Sequence, residues 1–371
     1  MLKRSLPRKH HCHLRVGLVA GLNGFKVTLG TACLQDGPDA LFDPHIRPVP
    51  EGEEGIGDHH RAGESCLVLQ NPGINFIFQA LLLLAPFNLQ DQISVGETMG
   101  IKAEETLAGR VEFVELTGFT LAEIKPKEER KLWLRGGFPR SFLASSDTDS
   151  ASWREGFIRT FLERDIPQLG ISIPAAAMRR FWTMLAHYHG QIWNASELGR
   201  AMGFSDKTMR SYLDILSGTF MIRQLMPWHE NLSKRQVKAP KIYFRDSGIL
   251  HQLLSLSDFQ ALTGHPRVGA SWEGFALEQT LNILETRQIY FWSTYSGAEL
   301  DLFFLHAGRR YGVEFKYSEA PVATKSIHSA LETLNLEHLW IVYPGNTQYP
   351  VHEKITVLPI KNISDLKFSS S

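Results

Sequence analysis

Cysteine is scarce. Cys12, Cys33 and Cys66 are the only three among 371 residues, and no two form a CxxC pair. An odd count without paired spacing excludes a disulfide framework and fits a reducing cytoplasm. Net charge is lacking too, since 39 Lys and Arg balance 39 Asp and Glu. A uniformly basic nucleic-acid coat is thereby excluded, although local basic patches are not. No apolar run reaches the ~20 residues that a membrane-spanning helix needs. The best candidate, Ile74 to Leu89, is interrupted by Asn75, Gln79 and Pro86. The basic stretch MLKRSLPRKHHCHLR leads into no clean cleavage site, so it does not read as a signal peptide.

What is present is ordinary globular composition, 43% hydrophobic and 21% charged. Such a chain buries cores, and its length suggests two or three domains of about 150 residues.

Residues 1–104 form an atypical N-terminal region, expected to be poorly ordered. Gly and Pro are scattered through QDGPDALFDPHIRPVPEGEEGIGDHHRAGE, and no helical or strand period lasts more than a few residues. The cluster HHCH at His10 to His13, with His59 and His60, lacks the spaced pairs on a rigid scaffold that zinc needs. The stretch GLNGFKVT, Gly21 to Thr28, is no P-loop. Phe25 separates Gly24 from Lys26, and Val27 separates Lys26 from Thr28. No nucleotide-binding residue is assigned.

From residue 105 the texture becomes regular. In 105–173, VEFVEL alternates as a strand, and Gly136, Gly137 and Pro139 mark a sharp turn. A helical stripe then runs through Trp153, Phe157, Ile158, Phe161 and Leu162. Arg159, Arg164 and Asp165 read as solvent-facing charge and local salt bridges.

Residues 174–235 look like a winged helix-turn-helix. Helices AAAMRRFWTMLAHYHG and NASELGRAMG end at Gly190 and Gly203, and Ser205 caps a third, SDKTMRSYLDILSG. FMIRQLMPW follows as a strand-like wing. In such modules the third helix enters a major groove, which would place Lys207, Thr208, Arg210 and Ser211 on DNA, with Lys234, Arg235 and Lys238 nearby. The same architecture also serves protein–protein contacts, so both readings stay open.

Residues 236–371 read as an α/β unit, a mixed sheet flanked by helices. KIYFRDSGILHQLL suggests strand, turn and helix, and VGASWEGFALEQTLNIL a strong amphipathic helix. Strands QIYFWST, AELDLFFL and YGVEFKY follow, then helix KSIHSALETLNL and strands LWIVYPG and ITVLPI.

One constellation there could carry chemistry. Glu273 lies on the helix, Asp301 on the middle strand, and Glu314 and Lys316 on the next strand, two apart and so on one face. An aspartate followed by Glu-x-Lys across a short hairpin is the PD-(D/E)XK nuclease pattern. Asp301 and Glu314 would hold Mg²⁺ through oxygen, and the metal would activate a water. Lys316 would position that water, and Glu273 would complete the site. Two alternatives remain. Glu314 and Lys316 could be an exposed cross-strand set with Arg309 or Arg310. A nuclease-like fold could also have lost catalysis and become a docking surface.

From about Glu105 onward, roughly the last two-thirds to three-quarters, the chain resembles bacterial and archaeal predicted AAA-type ATPases that carry a C-terminal domain of unknown function. The resemblance rests on ETLAGRVEFVELTGFTLAEI, GGFPRSFL, FLERDIPQLG, TFMIRQLMPW, PKIYFRDSGILHQLL, GASWEGFALEQ and FWSTYSGAELDLFF with VEFKYS. It implies a winged helix followed by a PD-(D/E)XK-like domain, with Glu273, Asp301, Glu314 and Lys316 in its acidic and lysine positions. It also implies ATP as a cofactor. Here, however, the P-loop, Walker B aspartate and GS-ending sensor strand are missing. The expectation is an N-terminal segment read in a shifted frame or replaced, with ATP hydrolysis lost. Three functions compete: a degenerate ATPase-family member that binds DNA, an active Mg²⁺-dependent endonuclease, and a non-enzymatic protein-interaction module.

Overall fold

In the computed structural model of the chain, the described residues are 117–229, 238–284 and 286–366, with the backbone of four strands nearer the N-terminus. The chain divides into two units near residue 117.

In the first unit, β1 (Cys12–Gly21) pairs antiparallel with β2 (Gly24–Cys33), from Cys12↔Cys33 to Gly21↔Gly24. These ten-residue strands run against the expectation of no lasting period. Leu14, Val16, Leu18 and Ala20 do recur at every second residue, a period that the intervening Gly17 and apolar Val19 obscure. Lys26 therefore lies inside a strand rather than at the start of a helix. The backbone of β3 (Cys66–Leu69) runs parallel to that of β4 (Val111–Val114), the strand expected in VEFVEL. His10, His11, His59 and His60 lie outside the described residues.

The second unit opens with α1 (Glu129–Arg135), which ends at Gly136. The φ of Gly136 is 77°, and a Cβ there would stand 2.2 Å from Asp246 Oδ1. The Asp246 carboxylate also accepts from Gly137 N at 2.8 Å and caps a later helix through Ile249 N. The Gly-Gly turn thus serves a close approach between distant segments. α2 (Asp147–Thr160) starts at Ser146, whose side chain accepts from Asp149 N. A single π turn at Phe161–Asp165 continues it, and Arg164 and Asp165 pair there at 2.9 Å.

Three helices follow: α3 (Ala175–His187), α4 (Ala195–Met202) and α5 (Asp206–Gly218). The expected punctuation holds. Gly203 takes φ 76° at the end of α4, and Ser205 accepts from Thr208 N at the start of α5. Three short strands complete this module: β5 (Gln191–Ile192), β6 (Ile222–Leu225) and β7 (Lys241–Phe244), in the antiparallel order β5-β7-β6. This corrects the assignment of KIYF to the C-terminal sheet. Phe181, Trp182, Leu185, Leu198, Met209, Leu213, Ile242 and Phe244 share one core with α6 (Ser247–Leu253).

The last part centres on α7 (Val268–Leu281) and a six-stranded mixed sheet. Its strands are β8 (Ile289–Ser293), β9 (Glu299–His306), β10 (Arg309–Phe315), β11 (His338–Tyr343), β12 (Tyr349–His352) and β13 (Ile355–Pro359). Their order is β12-β13-β11-β10-β9-β8. β10, β11 and β13 run parallel, and α8 (Lys325–Thr333) makes the crossover from β10 to β11. Strand alternation divides the core: Trp340 and Val342 meet the α7 side, while Leu339 and Ile341 meet the α8 side. α7 is not the amphipathic helix expected. Residues on every side of it are buried, Trp272, Gly274, Phe275, Ala276, Leu277 and Glu278 among them. A helix covered all round belongs to an interior. β12, an edge strand carrying Pro350, was not anticipated. Among the described residues no helix is long and apolar enough to cross a membrane.

The two parts of this unit are stitched together. Residues after β6 run parallel to β8, with Trp228 N donating to Phe291 O at 2.7 Å and Phe291 N to Met226 O at 3.0 Å.

Candidate functional site

A pairing irregularity sets the site. β8 and β9 pair as Tyr290↔Phe303 and then Trp292↔Leu300. Two residues of β9, Asp301 and Leu302, therefore oppose the single Phe291, as in a β-bulge, a device that re-aims a side chain. β9 and β10 stay in register through Leu302↔Val313, so the next position brings Asp301 opposite Glu314. Two hydrogen bonds tie Asp301 to this end of β10: Phe315 N donates to Asp301 Oδ2 at 3.0 Å, and Asp301 N donates to Glu314 Oε2 at 3.4 Å.

The structure thus brings Glu273, Asp301, Glu314 and Lys316 into one neighbourhood. Lys316 Nζ stands 2.6 Å from Glu314 Oε1. Glu314 is buried, 5% exposed, so the pair is not the exposed cross-strand set considered from the sequence. Arg309 instead meets Glu337 at 3.6 Å, and Arg310 donates to Leu334 O.

Three further residues complete the cluster, and the sequence reading had not singled out any of them. Lys241 Nζ lies 3.3 Å from Glu273 Oε1, 3.3 Å from Asp301 Oδ1, and in contact with Glu299. Tyr243 Oη donates to Glu273 Oε1 at 2.5 Å. Lys241 and Tyr243 come from β7, Glu273 from α7, and Glu299 and Asp301 from β9. A lysine inside the otherwise apolar KIYF and the spacing Glu299-x-Asp301 were the available signals.

Burial and charge perturb these groups strongly. Burial, seconded by the Asp301 carboxylate, raises Glu273 to about 7 and Glu314 to about 8. Burial alone would lower Lys241, but Glu273 and the neighbouring anionic groups outweigh it and hold the ammonium well above its ordinary range. Burial and Glu273 push the Tyr243 hydroxyl well up, so it stays protonated and donates.

These residues do not fit a divalent ion as they stand. Mg²⁺ takes carboxylate oxygens at about 2.0–2.1 Å. An ion shared by Asp301 and Glu273 would lie against the Lys241 ammonium, which already spans both. Among the described residues no group of three or more His, Cys, Asp or Glu is arranged to hold a metal ion.

The other candidate surface is the outer side of α5. Lys207, Arg210 and Ser211 are exposed there, and Thr208 is half-buried beside its cap, Ser205. Asp206 and Asp214 are exposed on the same helix; Asp206 accepts from Ser196 Oγ at 2.6 Å. Lys238 is exposed, while Lys234 and Arg235 lie outside the described residues.

Two families of unknown function match the chain. A domain of unknown function (DUF8612) covers residues 127–260, and another (DUF4143) covers residues 268–363. The first takes in the three-helix module with β7, and the second takes in α7 and the six-stranded sheet. Two mycobacterial proteins are similar over 261 residues at 50% identity: "Uncharacterized protein Mb2031c" of Mycobacterium bovis and "Uncharacterized protein Rv2008c" of Mycobacterium tuberculosis. The match covers 70% of this chain and 59% of each relative, so the chain spans little more than half the length of those relatives. No solved structure matches it.

Proposed function

We propose that this chain is a degenerate relative of the AAA-type ATPases, without nucleotide-binding motifs, that docks on DNA through α5 and does not cut it. The observation that carries the docking role is the exposed side of α5. Lys207, Arg210 and Ser211 stand at its N-terminal half, where the helix dipole also favours phosphate. The order of helices and strands, with α4 and α5 joined by a tight Gly203 turn and a three-stranded sheet beside them, resembles that of a winged helix-turn-helix and supports this reading. In that architecture the helix equivalent to α5 enters the major groove. The ATPase relationship is supported by the motif series from Glu105 onward, and loss of nucleotide binding by the absence of a GxxxxGK[ST] loop.

With two cations on α5, offset by Asp206 and Asp214, affinity should be modest. Neutralising about two phosphates gives a slope of log K against log salt near −2. Fluorescence anisotropy of labelled duplex DNA across a salt series tests this. Binding with that slope, abolished by the double variant K207E/R210E, is the expected result. Binding that K207E/R210E leaves unchanged, or none at low salt, overturns the docking role.

A further inference from the structure

We propose that the Lys241 ammonium is a built-in counter-cation that occupies, among Glu273, Glu299 and Asp301, the place a divalent ion would take in a metal-dependent site of this shape.

Four observations meet here. The first is stoichiometric: an ammonium has three N–H donors, and Lys241 meets three carboxylates. The second is burial. Lys241 is 3% exposed and its Nζ lies 5.7 Å from the centre of the buried Phe291 ring. Water therefore cannot serve as its solvation shell, and the carboxylates must. The third is origin. Lys241 arrives from β7, a strand of the three-stranded sheet, whereas its acceptors belong to α7 and to β9. The cation is thus delivered by one part of the unit into the acidic recess of another. The fourth is support. Tyr243, two residues along the same strand, donates to the Glu273 oxygen that Lys241 also contacts, and so holds that carboxylate in place.

A hard cation and an ammonium compete for the same oxygens, and only one fits. With Lys241 present the recess is closed to Mg²⁺ or Mn²⁺. With Lys241 shortened, three carboxylates, of which Asp301 is buried and Glu273 and Glu299 are partly exposed, remain with no cation, and an oxygen-seeking divalent ion is the ligand chemistry that restores the balance. DNA docking through α5 stands on different residues and does not enter this balance.

Isothermal titration of the full chain with Mn²⁺ tests it, using wild type, D301N, K241A and K241A/D301N, with circular dichroism as a check on folding. The wild type should show no saturable Mn²⁺ uptake. K241A should bind one Mn²⁺ at least tenfold more tightly than wild type, and K241A/D301N should lose that gain. K241A that is unfolded in EDTA but folds on adding Mn²⁺ supports the assignment equally. Three results overturn it. One is saturable one-to-one Mn²⁺ binding by wild type that D301N weakens tenfold or more. The others are a folded K241A that takes up no Mn²⁺, and a K241A that stays unfolded with Mn²⁺ present.

Discussion

Glu314 keeps its proton in the folded chain to about pH 8, against an ordinary value near 4.5, because burial and Asp301 oppose its charge. The unfolded chain therefore binds fewer protons between those two values, and stability falls as pH rises through that window. The contribution is complete below about 4.5 and gone above about 8. E314Q lacks this dependence. Its unfolding free energy relative to wild type should climb from pH 5 to about 8 and then level off, by at most about 1.4 kcal/mol per pH unit. A difference that stays flat would mean that Glu314 ionises as an exposed glutamate does. Among individual residues, the closeness of Glu314 and Lys316 was legible, because Glu-x-Lys on a strand is a local pattern, whereas Glu273 and Asp301 were placed beside them only by the order of elements and the family resemblance. Lys241 was not legible, since its partners Glu273 and Asp301 lie 32 and 60 residues away. A lysine inside the apolar KIYF marks an unusual position but not the groups that it will meet.

Elements were read well where their signals are local and poorly where partners are distant. Ser205 and Gly203 placed the start of α5 and the end of α4, because caps act within one turn. α7 was misread because its polar residues Glu273, Glu278 and Gln279, spread around the helix, find buried or partly buried partners rather than a solvent face. In the fold Glu278 accepts from Arg223 of β6 at 2.5 and 2.8 Å, and Gln279 accepts from Leu121 N at 2.8 Å. β7 was given to the wrong sheet for the same reason, since strand membership is decided by pairing and not by propensity. Packing around α7 makes one glycine indispensable. A Cβ on Gly274 would fall 2.1 Å from Nε2 of His189, a buried ring fixed by Phe244 N donating to its Nδ1. Gly→Ala within a helix ordinarily stabilises by up to about 1 kcal/mol. G274A should instead destabilise by roughly 1–3 kcal/mol, as overpacked cores do. Denaturant unfolding of G274A checks the sign, and a gain in stability would refute this packing.

For the whole molecule, the expected α/β architecture with a mixed C-terminal sheet is the one observed, while the β1–β2 hairpin and the β12 edge were not anticipated. Among its described residues, the unit that begins at residue 117 holds three hydrophobic cores, one within the three-helix module and one on each side of the six-stranded sheet. The charged recess lies where the module meets the sheet, and Lys241 joins them. Glu273, Glu299 and Asp301 gather around the Lys241 ammonium, and among the described residues no group of carboxylates is arranged to hold a metal ion. The most direct test incubates wild type and D301A with plasmid and linear duplex DNA in Mg²⁺ and in Mn²⁺, following cleavage on gels and binding by anisotropy. Salt-dependent binding with no cleavage by either protein is the predicted result. Cleavage by wild type that requires the divalent ion and vanishes in D301A would contradict it.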